Sequence, residues 1–293
     1  MDLFFIFIII AIFSYGIQLP LLIKYARELD GLTTTIYRNL SLMITMAPLL
    51  FFAPIEDFAK VPDSLWLLIG ASGTGALAFV FNLTAATYLP ASIAQSIRQA
   101  GYVIVAITLG ALFMKEYLSG SQLIIVFAIL ASVILLALSN PSIGHLKKQN
   151  KSLGMMIAAG AGIFYAISFM LYSAASRNIS PFIAGYFLEV GVGISAILFG
   201  VIRYSLWKIK TPILSLKDSL KIGLISMTTI SGTLCYGFAV NNGPYALASA
   251  LMTTTGIITL IAGYIMFKEK LSKTQVGLVL LLIGCIIVLK IIA

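Results

Sequence analysis

The chain has 293 residues, of which 60% are hydrophobic and only 10% are charged, and its formal net charge is +9. A soluble domain carries roughly 25% charged residues, so this composition excludes an ordinary soluble protein. Runs of about 18 or more mostly apolar residues recur along the chain, and each is long enough to cross the ~30 Å hydrocarbon core as a helix. The sequence therefore predicts an all-α integral membrane protein.

The apolar runs predict ten transmembrane helices. In chain order they cover 3–23, 33–52, 65–87, 91–114, 121–138, 153–173, 182–204, 220–240, 246–267 and 274–291. The first run has no basic region before it and no small-residue cleavage site, so we interpret it as a retained helix and not as a signal peptide. A basic polar loop at 141–152 separates five spans from five spans. We therefore expect one five-helix unit at 1–140 and a second at 153–293.

A nine-residue motif occurs once in each half of the chain. MKEYLSGSQ at 114–122 returns as FKEKLSKTQ at 267–275, which is 153 residues later. Because each half contains an odd number of spans, the second half enters the membrane from the opposite side. The sequence thus predicts two inverted five-helix repeats, an architecture that supports alternating access. Since both repeats lie in one chain, we expect that a monomer can be functional.

The repeated motif has the spacing of a capping box. In that arrangement a serine and a glutamine three residues later satisfy free backbone amides at a helix start. The glutamate three residues before each serine would lie near a helix start, where an anion is favoured. We interpret the residues of this motif as structural: Glu116, Ser119, Gln122, Glu269, Ser272 and Gln275.

These features resemble those of the drug/metabolite transporter superfamily, and in particular of the EamA-like family with two EamA domains. The resemblance rests on an aromatic residue before a small one in the first and sixth spans (Tyr15, Tyr165), on Arg38 in the second span, and on the two Glu-x-Leu-Ser hairpins. Members usually have Trp in place of Tyr15 and Pro within the fourth and ninth spans, and this chain has neither. The resemblance implies a secondary carrier, often an exporter of amino acids, metabolites or drugs.

Three charged residues lie well inside the predicted spans: Arg38, Arg98 and Glu189. An ionised group at the bilayer centre costs at least a few kcal/mol, so each of them requires a cavity or a partner. Arg98 and Glu189 each lie eight residues after a proline that opens their span, which is roughly 12 Å along the helix. Their spans run in opposite directions, so both residues would lie near mid-membrane and face one cavity. Alternatively, Arg98 bonds backbone carbonyls or pairs with Glu189.

Arg38 lies closer to the start of its span. We expect its long side chain to reach toward the membrane surface and to pair with an acid there, such as Glu28 or Asp30.

A polar stripe follows one face of the fourth span. Gln95, Arg98, Gln99 and Tyr102 have the i, i+3, i+4, i+7 spacing of one helix face. The equivalent positions of the ninth span hold Ala, Leu, Met and Thr, so we interpret the stripe as a substrate-binding surface. Further candidates lie inside spans at repeat-related places, where they either line the cavity or bond a neighbouring helix: Asn82, Tyr236, Tyr15 and Tyr165.

The sequence contains no His/Cys cluster, no paired carboxylates on one helix, no G-x-S-x-G and no Walker motif, so we expect neither an enzyme nor a cofactor or metal site. We predict a secondary active exporter of small metabolites. Amino acids or related zwitterions fit best, with the carboxylate on Arg98 and the ammonium on Glu189. One alternative is a carrier of organic cations or drugs, coupled to protons at Glu189. Another is a carrier of organic anions bound at Arg98.

Lysines and arginines in the loops predict the orientation. Thirteen lie in loops that follow odd-numbered spans, and four lie on the other side with the termini. This bias places the odd loops in the cytoplasm and both termini outside, in the plasma (inner) membrane of a prokaryote, whereas relatives usually have cytoplasmic termini. The net charge is then a topology signal, so we expect the lipid bilayer and a small molecule as partners, and no nucleic acid.

Overall fold

A computed structural model of the chain describes residues 2–138, 150–267 and 273–292. Within these residues the regular structure is helical and no strand occurs. A backbone surrounded by lipid must satisfy its own hydrogen bonds, and a helix does so along its own length. The predicted all-α class is therefore confirmed.

The helices follow one another with short connections. In chain order they are α1 (Asp2–Glu28), α2 (Gly31–Thr45), a 3-10 segment (Ala47–Phe52), α3 (Ile55–Phe58), α4 (Val61–Tyr88), α5 (Ala91–Phe113), α6 (Gly120–Leu138), α7 (Lys151–Asn178), α8 (Pro181–Trp207), α9 (Leu216–Ser226), α10 (Thr228–Asn242), α11 (Tyr245–Met252), α12 (Thr255–Phe267) and α13 (Lys273–Ile292).

In the described part of the chain, seven helical stretches are long and apolar enough to cross a membrane. They are Asp2–Glu28, Val61–Tyr88, Ile93–Phe113, Lys151–Asn178, Pro181–Trp207, Leu216–Asn242 and Tyr245–Met266. They correspond to the first, third, fourth and sixth to ninth predicted spans. The fifth and tenth predicted spans are shorter apolar helices, Gly120–Leu135 and Val276–Ile292. As membrane crossings, these two spans and the second remain predictions.

Three predicted spans are interrupted instead of forming single helices. The eighth span is divided at Met227 into α9 and α10. In the second span, α2 ends at Thr45 and the 3-10 segment follows, with Pro48 in its first turn. Proline has no N–H and cannot continue an α-helix. In the ninth span, the hydroxyls of Thr253, Thr254 and Thr255 each donate to the carbonyl three residues earlier. Such side-chain bonds compete with the helical pattern, and α11 is thereby separated from α12.

The first copy of the repeated motif forms the bonds of a capping box. The Ser119 amide donates to Gln122 Oε1 (2.9 Å) and the Gln122 amide donates to Ser119 Oγ (3.3 Å). Glu116 accepts from Arg177 Nη2 (2.6 Å) and from the Ala246 amide at the start of α11 (3.1 Å). This glutamate therefore joins the two halves of the chain. In the second copy, the predictions for Glu269, Ser272 and the Gln275 side chain lie outside the described residues.

The helices of the first half pack mainly against those of the second half. α4 and α5 pack along α7, α1 packs along α10 and α12, α2 packs on α8, and α6 packs on α13. The two halves are therefore interleaved.

Gly162 lets α7 approach α5 closely. A Cβ atom added at this position would collide with the Arg98 carbonyl oxygen and would lie 2.8 Å from the Tyr102 amide nitrogen. Small residues allow such approaches between membrane helices. The contact fixes how far along α5 the side chains of Arg98 and Tyr102 lie relative to α7.

We expect Gly162→Ala to destabilise the protein by about 1–3 kcal/mol, because the added methyl group meets backbone atoms that cannot move aside. Gly73→Ala is the matched control, since a Cβ there has nothing within 4 Å. Thermal unfolding of the two variants in detergent measures the difference. Equal melting temperatures for the two variants would show that the α5–α7 contact tolerates a side chain.

Candidate functional site

A cavity of about 80 Å³ lies between the helices. Its walls come from α1, α2, α4, α5, α7 and α8 and from the interruption between α11 and α12. The polar residues of its lining are Tyr15, Gln18, Arg38, Asn82, Gln95, Arg98, Tyr102, Tyr165, Ser168, Glu189 and Thr255. The apolar part of the lining includes Phe79, Phe169, Leu188, Val192 and Met252.

Seven of the nine predicted binding residues line this cavity: Tyr15, Asn82, Gln95, Arg98, Tyr102, Tyr165 and Glu189. The structure places the other two in its surroundings. The Gln99 amide donates to Thr255 Oγ1 (2.6 Å) and so joins α5 to α12. Tyr236 is fully buried behind Phe169, and the two ring centroids are 4.6 Å apart. These two positions support the lining and are not part of it.

Arg38 and Glu189 form an ion pair inside the bundle. Arg38 Nη1 donates to Glu189 Oε2 (2.8 Å) and Nη2 lies 3.5 Å from Oε1. The two residues are only 3% and 4% exposed. The expectation that Arg38 pairs with Glu28 or Asp30 is wrong, because Arg38 lies two helical turns beyond the start of α2. Asp30 pairs instead with Arg203 (3.2 Å).

The carboxylate of Glu189 has further donors around it. Asn39 Nδ2 donates to Oε2 (2.9 Å) and also to the Glu189 backbone carbonyl (2.8 Å). Thr233 Oγ1 donates to Oε1 (2.9 Å). Because that hydroxyl has only one proton, Tyr15 must be the donor in its 2.8 Å bond with Thr233. The carboxylate thus accepts from four donor atoms, which is about its full capacity.

Arg38 is held on several sides as well. Its Nη2 donates to Thr229 Oγ1 (3.1 Å), and Gln18 Nε2 bonds the same hydroxyl. The guanidinium carbon lies 4.3 Å from the centroid of the Phe79 ring. A cation gains free energy from the face of an aromatic ring, particularly where water is excluded. The pair with Glu189 is therefore part of a larger bonded cluster.

Arg98 has a different environment. Its Nε donates to Gln95 Oε1 (3.1 Å), and its guanidinium carbon lies 4.8 Å from the centroid of the Tyr165 ring. Among the described residues no acid pairs with Arg98, and none accepts a hydrogen bond from its two terminal nitrogens. Glu189 is bound to Arg38 instead, so the alternative of an Arg98–Glu189 ion pair is not observed.

The polar stripe of α5 has two roles. Gln95 and Arg98 line the cavity, whereas Gln99 bonds Thr255 at the start of α12. Tyr102 lines the cavity and also shares a 3.0 Å hydrogen bond with Ser249 of α11. The expectation that the stripe serves substrate binding alone is therefore too narrow, because it also binds α5 to the interrupted ninth span.

Aromatic side chains fill the space between the cavity and the loop that follows α7. Phe169, Tyr172 and Tyr236 pack together there, and the Tyr172 and Tyr236 centroids are 6.2 Å apart. One turn further along α7, Arg177 pairs with Glu116 (2.6 Å). The aromatic contacts and the ion pair thus follow one another along α7, from the cavity lining toward the end of the helix.

The structure brings several residues to the site that the sequence analysis did not assign to it. They are Gln18, Arg38, Asn39, Ser168, Thr229 and Thr233. A signal was present for one of them. Asn39 precedes Glu189 by 150 residues, which is also the spacing of Tyr15 and Tyr165, so alignment of the two halves pairs Asn39 with Glu189. No comparable signal marks the threonines.

Comparison with known proteins adds to this geometry. The sequence model of the EamA-like transporter family matches residues 3–138 and 152–290, one match in each half of the chain. This confirms the resemblance inferred from the sequence. No curated protein matches the chain. A solved structure titled only "Crystal structure of protein" has a TM-score of 0.68 and 13% identity, with 96% of this chain and 93% of that chain covered. At this identity the likeness concerns the fold alone.

We expect Arg38→Gln and Glu189→Gln each to lower the free energy of unfolding by about 3–5 kcal/mol, because each leaves a buried charge without its partner. The double variant should lose clearly less free energy of unfolding than the sum of the two single losses, since neither charge is left in it. Unfolding of the three variants in detergent, measured as a double-mutant cycle, tests this.

The exposed pair Asp218–Lys221 (3.1 Å) is the matched control. Its neutralisation should leave the free energy of unfolding close to that of the wild type, because solvent screens an exposed ion pair. Strict additivity of Arg38→Gln and Glu189→Gln would contradict the ion pair.

Proposed function

The chain belongs to the EamA-like transporter family, and we propose that it is a secondary active transporter whose substrate binds in the cavity at Arg98. One observation carries this proposal. Arg98 lines a cavity, its Nε donates to Gln95, and no described residue accepts a hydrogen bond from its two terminal nitrogens. A charge in a membrane protein that has no internal partner marks a ligand or ion pathway. A small metabolite with an anionic group supplies what the site lacks.

The site suits the carboxylate of an amino acid but not its ammonium group. A carboxylate fits the free end of Arg98, because a planar guanidinium fork binds a carboxylate through two parallel hydrogen bonds. Glu189 is a poor ligand for the ammonium group, since Arg38, Asn39 and Thr233 already occupy its oxygens.

The organic-cation alternative has less support. A cation would have to enter a cavity whose charged lining residues are two arginines and one glutamate. Proton exchange at Glu189 would also remove the counter-charge of Arg38 during each cycle. The described geometry therefore favours substrates that bring negative charge to Arg98.

We also propose that the two halves are inverted repeats that move relative to each other, as alternating access requires. Equivalent contacts in the two halves support this. Arg27 Nε donates to the Ala86 carbonyl (3.0 Å), and Arg177 Nε donates to the Val240 carbonyl (3.1 Å). Each residue of the second contact lies about 150 positions after its counterpart, at the other end of the bundle.

Contacts between loops support ten crossings. Asp57, after the second span, accepts from the Ser180 amide after the sixth (2.9 Å). Asp30, after the first span, pairs with Arg203 near the end of the seventh (3.2 Å). Residues that follow even-numbered spans thus contact each other, and so do residues at the ends of odd-numbered spans. A chain that changes side at every span produces this segregation.

The orientation follows from the loop charges. We propose that the basic loops after odd-numbered spans face the cytoplasm of a prokaryotic cell and that both termini lie outside its plasma membrane. The family resemblance favours export as the direction of transport.

Proteoliposomes that contain the purified protein should take up labelled amino acids or their 2-oxo acids faster than protein-free liposomes. We expect Arg98→Gln to reduce this uptake at least about tenfold, because one good charge-assisted hydrogen bond is worth about 1.5–3 kcal/mol. Lys210→Gln is the matched control, since it removes the same charge from an exposed loop position. Wild-type uptake by Arg98→Gln would remove Arg98 from the substrate path.

Labelling with a membrane-impermeant maleimide tests the orientation. In a background in which Cys235 and Cys285 are replaced by Ala, Lys60→Cys on an even loop should react in intact cells. Lys210→Cys on an odd loop should react only after permeabilisation. The opposite pattern would place the termini in the cytoplasm.

A further inference from the structure

We propose that the cavity selects small organic monoanions with an apolar side chain, such as branched or aromatic 2-oxo acids, over the zwitterionic amino acids of the same shape. In this proposal, which rests on the proposed function, Arg98 is the specificity-determining residue and the Arg38–Glu189 pair is a fixed, internally neutral part of the wall. The inference depends on the charge count, on the acceptors that remain and on the shape of the lining.

The charge count of the lining favours an anion. Among the described residues, the only charged groups on the cavity wall are Arg38, Arg98 and Glu189. Arg38 and Glu189 neutralise each other at 2.8 Å, so one positive charge remains on Arg98. A monoanion makes the loaded cavity neutral, whereas a zwitterion leaves it with the same net charge. Because an uncompensated charge inside a membrane protein is costly, the neutral complex is favoured.

The acceptors disfavour an ammonium group. Such a group needs partners for three N–H donors. Glu189 already accepts from Arg38, Asn39 and Thr233, and displacing Arg38 would leave that arginine unpaired. The Gln95 side-chain oxygen accepts from Arg98 Nε at 3.1 Å. The other acceptors of the lining, such as the side-chain oxygens of Gln18 and Asn82, are neutral. An amino acid would therefore bring its ammonium charge into the cavity without a free carboxylate to pair with it, and burying an unpaired charge costs free energy.

The position of Arg98 suits a carboxylate. Gln95 holds Nε from one side, and the Tyr165 ring lies 4.8 Å from the guanidinium carbon. These two contacts hold Nε and one face of the guanidinium of a residue that lines the cavity, and no described residue accepts a hydrogen bond from its two terminal nitrogens. A carboxylate can accept two parallel bonds from these nitrogens.

Apolar groups cover the rest of the wall. Phe79, Phe169, Leu188, Val192 and Met252 provide a surface for a branched or aromatic side chain. A polar substrate end at Arg98 and an apolar end against these residues together describe a compact amphiphilic acid.

Matched pairs of ligands test the inference on the wild-type protein without any substitution. The pairs are 4-methyl-2-oxopentanoate with leucine and phenylpyruvate with phenylalanine, in which the members differ mainly in the ammonium group. A ligand that binds the folded state raises the melting temperature according to its concentration and Kd. We expect the oxo acid of at least one pair to bind the detergent-purified protein at pH 7 at least tenfold more tightly than its amino acid.

Two variants locate the selectivity. Arg98→Gln should weaken oxo-acid binding at least tenfold. Arg98→Lys should have an intermediate effect, because lysine keeps the positive charge but cannot offer two parallel N–H bonds to a carboxylate. Lys210→Gln, an exposed loop position, should bind as the wild type does. The melting temperature of each variant without ligand shows whether it is folded.

The outcomes separate the two proposals. Equal or tighter binding of the amino acid, lost in Arg98→Gln, would overturn the monoanion inference and leave a carrier with its site at Arg98. Failure of both oxo acids to bind the wild type would also overturn the inference. In that case proteoliposome uptake of the amino acids decides separately whether the proposed function stands.

Discussion

The cost of charge inside a membrane protein is the constraint on which the rest of this structure depends. Arg38 and Glu189 meet it by neutralising each other, and their 2.8 Å contact joins α2 to α8. A buried pair of this kind is tolerated only when its remaining donors and acceptors are satisfied. Asn39, Thr229 and Thr233 do so here. The carboxylate of Glu189 is therefore already paired within the wall of the cavity, and the positive charge that remains is that of Arg98.

A close helix contact and a helix interruption then position the groups that surround Arg98. Gly162 brings α7 against the backbone of α5, which sets Arg98 beside the ring of Tyr165. The interruption after Met252 brings Thr255 to the cavity and within 2.6 Å of the Gln99 amide. Two unbroken helices with bulkier contact residues would cross further apart. The binding surface therefore depends on the backbone as much as on its polar side chains.

The sequence predicted the helical class, the family and seven of the residues that line the cavity, because depth along a helix and helical face both follow from residue spacing. It did not predict the partner of Arg38. Spacing gives the height of a side chain and not which helix lies opposite, so the nearby acid Asp30 was as plausible as Glu189. The offset of 150 residues between Asn39 and Glu189 could have shown that contact. Thr233 lies among several similar threonines, and nothing in the sequence distinguishes it.

Comparison of corresponding positions in the two halves shows that the charges of the site are asymmetric. Asn39 and Glu189 occupy corresponding positions of the two halves and are in contact, and two glutamates in that contact would repel. This chain has Asn39 in one half and Glu189 in the other, so an amide donates to the carboxylate at 2.9 Å. At the 153-residue offset of the repeated motif, the ninth span has Leu251 at the position of Arg98 in the fourth. The family model matches both halves, but the unpaired charge of the cavity lining, Arg98, lies in the first half alone, and this single anchoring charge makes the cavity asymmetric.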